Sequence, residues 1–77
     1  MTRYFFDIRD GDELVPDEEG VDMPDVEAAQ EEAAQTLADL ARQKIRGLSF
    51  HHLAVEVRDL DGPVLEANFT WRSFSKH

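Results

Sequence analysis

The chain has 77 residues, no cysteine, and 17 acids against 8 lysines and arginines, for a formal charge of -9. One domain of that size buries only roughly 60 to 65% of the surface its unfolded chain exposes, and neither a disulfide nor a thiolate zinc site is available to reinforce it. Nucleic acid and anionic membranes are disfavoured as partners, because both draw binding energy from cationic groups on the protein.

The first element in chain order is "RYFFDIRD", Arg3 to Asp10. Tyr4, Phe6 and Ile8 alternate with Arg3, Phe5, Asp7 and Arg9, the period of a strand with one buried face. Asp10-Gly11 then supplies a turn, and "ELV" starts a second strand that Pro16 interrupts, so this strand is short or lies at an edge. From Asp25 the period becomes helical, with Val26, Ala29, Ala33, Leu37, Leu40, Ala41 and Ile45 on one stripe. The helix is expected over residues 25 to 46. It is capped by Asp25 or begins at Pro24, and Gly47 serves as its C′ residue. Acids gather near its start and bases near its end, as the helix dipole favours.

The stretch "LAVEVRDLDGPVLEANFTW" reads as a hairpin. Leu53, Val55 and Val57 point one way, a turn spans Asp59 to Pro63, and Leu65, Ala67, Phe69 and Trp71 return on the same face. The expected fold is α+β: ββαββ, an antiparallel sheet of three or four strands with one helix packed on one face. The domain is expected to end near residue 72, leaving 73 to 77 as a tail. The opposite sheet face, with Arg3, Asp7, Arg9, Glu56, Arg58 and Glu66, is expected to form cross-strand ion pairs.

The charge is concentrated in one place. Residues 10 to 27 hold nine acids and no base, while the rest of the chain holds eight of each, so this segment carries all of the net charge. A calcium loop would need ligands at positions 1, 3, 5 and 12 with glycine at 6. Counted from Asp10, those places include Leu14, Val15 and Val21, and a start at Asp17 fits no better. No metal residue is assigned. His51 and His52 are strand neighbours that point to opposite faces and so do not chelate one ion. A weaker alternative is a divalent-cation-responsive binder using the whole 10 to 25 segment.

No nucleophile elbow, phosphate loop or dinucleotide fingerprint occurs, and there is no cysteine nucleophile. Ser49, Ser73 and Ser75 lie near histidines only in sequence, which is not triad geometry. Neither catalytic residues nor a cofactor are expected. The start lacks the apolar core of a signal peptide and no apolar run spans a membrane, so the expected location is the cytoplasm. Among the aromatics, Phe5 on the polar face and Phe74 in the tail stand outside the core pattern. With Asp12, Glu13, Asp17, Glu18 and Glu19 they make up the candidate interaction surface. Edges near Pro16 and at the last strand are candidates for pairing with a second copy.

The segments "RYFFDIRDG", "DEEG" at 17 to 20, "PDVEAAQEEA" at 24 to 33 and the "VEVRDLDGPVL" hairpin resemble a family of small uncharacterised bacterial proteins known as a domain of unknown function. The resemblance reaches to about Phe69 and implies a fold and a bacterial cytoplasmic setting, with no activity attached. A looser similarity, in fold and helix start only, is to HicB-like antitoxins; it implies inhibition of a basic partner, although their separate DNA-binding segment has no counterpart here. The expected function is therefore a small acidic protein-protein interaction module whose partner is a basic protein or a second copy.

Overall fold

The computed structural model describes residues 1–46 and 50–74. Among these residues five strands and one helix follow in the order β1 (Thr2–Asp10), β2 (Glu13–Val15), β3 (Val21–Met23), α1 (Val26–Lys44), β4 (Phe50–Asp59) and β5 (Gly62–Arg72). The strands form one antiparallel sheet in the order β2-β1-β4-β5, with β3 also paired to β1. The fold is α+β as expected, but the sheet has five strands where three or four were anticipated. The additional strand is β3, three residues held against Thr2–Tyr4.

The tight β1–β2 turn brings Asp10 opposite Glu13, with Gly11 at φ 62° and its N–H donated to the His52 carbonyl at 3.0 Å. β4 and β5 form the long hairpin, and its turn is shorter than the sequence suggests. Asp59 already faces Gly62 and Pro63 faces Arg58, while a register shift between Val57 and Arg58 absorbs one residue. Proline has no N–H to give a ladder, so a strand end beside a bulge is where it is tolerated.

Asp25 caps α1 by accepting the Ala28 N–H at 2.9 Å, which decides between the two starts read from the sequence. At the other end Ile45 donates back to the Ala41 carbonyl; Gly47 lies outside the described residues. The helix buries Ala29, Ala33, Leu37 and Ala41 against Tyr4, Leu53, Val55 and Val57. Alanines on the helix allow close approach, and the branched and aromatic residues of the sheet fill the space. Val26 and Ile45, at the two helix ends, complete the apolar stripe in sequence but remain 43% and 42% exposed. α1 packs chiefly on β4 and β5.

Candidate functional site

Between its pairings with β3 and β2, the stretch Phe5 to Asp7 of β1 is met by the loop 16–20. Asp17 fastens that loop. One carboxylate oxygen accepts the Phe6 N–H at 3.1 Å, and the other accepts the N–H groups of Glu19 and Gly20, each at 3.1 Å. A side chain here does the work of a missing strand, satisfying a β1 amide that neither short strand reaches. Burial raises the Asp17 pKa, but the three backbone donors and the nearby Arg58 charge outweigh it and hold the carboxyl below its usual value.

Asp7 and Arg58 carry the loop from below. Asp7 is the one buried charged residue among those described, 8% exposed. It accepts the Arg58 Nε–H at 2.9 Å and the Asp17 backbone N–H at 2.8 Å. Arg58 also donates to the Asp17 carbonyl at 2.9 Å, and its guanidinium lies 4.5 Å from the centre of the Phe5 ring. Arg3 donates to the Glu19 carbonyl at 2.7 Å and pairs with Asp22. Gly20 has φ 75°, and a Cβ there would stand 2.9 Å from both Arg3 Cγ and Phe5 Cε2. The loop closes onto β1 only because this position is glycine.

Carboxylates therefore leave the acidic segment in different directions. Asp10 bonds His51 and pairs with Lys44 at 3.1 Å, Asp22 goes to Arg3 and Asp25 caps the helix. Hydrogen bonds from His51 and then Lys44 hold the Asp10 carboxyl below its usual value. Among the described residues, no group of three His, Cys, Asp or Glu side chains gathers where a metal would sit. His51 tilts against Trp71 while His52 bonds Asn68 at 2.8 Å, so the two histidines do face opposite ways. On the polar face Asp7 is directly opposite Glu56, and Glu56 opposite Glu66. Bases reach this acidic row diagonally, Arg58 to Asp7 and Arg9 to Glu56 at 2.7 Å.

Of the residues singled out in sequence, Asp17 is half-buried in the loop and Phe5 lies half-buried under Arg58. Asp12, Glu13, Glu18 and Glu19 are exposed along the β2 side, and Phe74 is exposed beyond β5.

The other side of the sheet holds an apolar groove that the sequence did not reveal, beside the last-strand edge that it did. β5 is the terminal strand of the order β2-β1-β4-β5. Beside it, Ala34, Leu37, Ala38, Ile45, Ala67 and Phe69 line an open groove of about 450 Å³, with Arg42 at its rim. Ala34 and Ala38 are exposed, flanking the buried alanine stripe. Their small side chains leave the groove shallow and accessible. Alanine at these positions reads in sequence as ordinary helix surface, so only the packing shows that the helix flank and the strand form one apolar surface.

The structure is thus a small α+β domain with an organised acidic loop on one side of its sheet and an apolar groove along the last strand on the other. The chain belongs to the family described as a domain of unknown function (DUF6894), whose model matches residues 3–70. No curated protein and no solved structure matches it.

Proposed function

We propose that this chain is a small acidic protein-interaction module whose contact surface is the β5 edge with the adjoining α1 groove. The observation that carries this reading is the juxtaposition of an apolar groove with a terminal strand eleven residues long, in a chain of only 77. Long edge strands invite pairing unless charge, bulges or proline blunt them. β1 has short strands, Pro16 and the acidic loop along it; β5 beyond Pro63 carries only Glu66 and Arg72 as charges.

Asp12, Glu13, Glu18 and Glu19 form an acidic rim remote from that contact. It keeps the module soluble and draws a basic partner toward it. An antitoxin-like inhibitor of a basic partner is one form of the same reading. The divalent-cation alternative has less support, since the carboxylates diverge.

Residue-level cross-linking, on the purified chain and in its host's lysate, tests the proposal. Stoichiometric adducts are expected through residues 34–45 and 64–72, and Ala38→Glu should abolish them. Adducts confined to the acidic loop, or none, would contradict it.

A further inference from the structure

We propose that the occupant of the β5 edge is a second copy of this chain, paired antiparallel about a two-fold axis at Phe69. This rests on the contact surface assigned above and adds the partner and its register. Three observations lead to it.

The first is the position of the helix. α1 packs on β4 and β5, so extending the sheet through β5 places the two helices on one face, two strand spacings apart. At about 4.8 Å per spacing that is about 9.6 Å, within the 8 to 10 Å at which helices pack against each other. Ala34 and Ala38 lie on the flank that faces the partner, where small side chains permit that approach. Each groove is then closed by the partner's.

The second is charge register along β5. A two-fold at Phe69 puts Glu66 opposite the partner's Arg72, twice, and Asn68 opposite the partner's Thr70. Centring the pairing on Ala67 or Asn68 instead leaves Glu66 against a neutral residue. Opposite charges directly across a strand pair stabilise a register, so the Phe69 pairing is favoured. The same two-fold runs the helices antiparallel and brings the acidic first half of one, with Glu31, toward the basic second half of the other, with Arg42.

The third is the place of the net charge. In the joined sheet the two β2 strands stand at opposite ends, seven spacings or about 34 Å apart. That is several Debye lengths at about 0.15 M salt, so two chains of charge -9 do not repel each other appreciably through their acidic segments.

Sedimentation equilibrium across the micromolar to high-micromolar range tests the proposal on the wild type and on Ala38→Glu. The variant sits on an exposed helix position and is first shown to be folded by circular dichroism. A reversible wild-type dimer is expected, with its dissociation constant raised about tenfold or more in the variant, which places two charges in the closed grooves. Because the chain has no cysteine, mixing Asn68→Cys with Thr70→Cys chains under oxidising conditions reports the register. The heterodisulfide should form in preference to either homodisulfide. A wild type that stays monomeric at hundreds of micromolar overturns the second copy as occupant, and host-lysate adducts at β5 and α1 would then leave the interaction module standing. A dimer that survives Ala38→Glu and gives no preferred heterodisulfide overturns the proposed site.

Discussion

Replacing Asp17 with alanine removes one carboxylate on which the whole 16–20 loop depends. Three backbone N–H groups lose their acceptor. Hydrogen bonds to a charged group are worth about 1.5 to 3 kcal/mol each when buried. The Glu19 amide is exposed and regains water at once, whereas the Phe6 and Gly20 amides are partly buried. A net loss of about 2 kcal/mol is expected, a large share of the roughly 3 to 5 kcal/mol available to a core this small. For a domain of this length that corresponds to a fall in Tm of roughly 8 to 16 °C. Calorimetry of Asp17→Ala beside Glu18→Ala is the assay. The neighbouring exposed carboxylate should change stability by less than about 0.5 kcal/mol. The same pair separates structure from net charge, since both variants lose one negative charge. Asp17 is held below its ordinary value in the folded chain, so its contribution is complete above the unfolded value and is lost as pH falls through the folded one. The gap between wild type and Asp17→Ala should therefore be constant near neutrality and close below about pH 4. Equal Tm values for the two variants at pH 7, or a gap unchanged in acid, would refute this account of the loop.

Three further outcomes are expected. Gly20→Ala forces a side chain into a φ of 75° with contacts of 2.9 Å, and should cost about 1 to 3 kcal/mol by chemical denaturation. Asp25→Ala removes the bond to the Ala28 N–H and should cost about 1 kcal/mol in the same assay. In His51→Gln the Asp10 carboxyl loses its largest source of stabilisation, so its NMR titration midpoint should move upward, and less of the variant's stability should be lost as pH falls through the Asp10 transition.

Much of the scaffold was legible because local patterns carried it. Tyr4, Phe6 and Ile8 alternate, Leu53, Val55 and Val57 alternate, and Ala29, Ala33, Leu37 and Ala41 recur at helical spacing, so each buried face could be read without knowing its neighbours. Val21–Met23 could not be read as a strand, because three residues between a glycine and a proline hold no period; pairing with Thr2–Tyr4 makes it one. The function of Asp17 was equally hidden. Its partners lie at Phe6, eleven positions earlier, and through its backbone at Arg58, 41 positions later, and among nine acids in 18 residues nothing local marks it out. That Asp7, Arg9, Glu56 and Arg58 share the polar face was accessible from alternation alone, whereas the register that sets Asp7 directly opposite Glu56 was not. The groove was not, because it depends on how far α1 leans over β5, a tertiary quantity with no signature in the spacing of Ala34 and Ala38.

The central claim is that this molecule makes contacts through β5 and the flank of α1, with the acidic loop as a self-contained piece of structure. A dilution series of amide NMR spectra, from millimolar to micromolar chain, tests it most directly. The account predicts concentration-dependent shifts confined to residues 34–45 and 64–72, with the 12–19 amides unmoved. Shifts centred on the acidic loop, or spectra identical at every concentration and on adding host lysate, would contradict it.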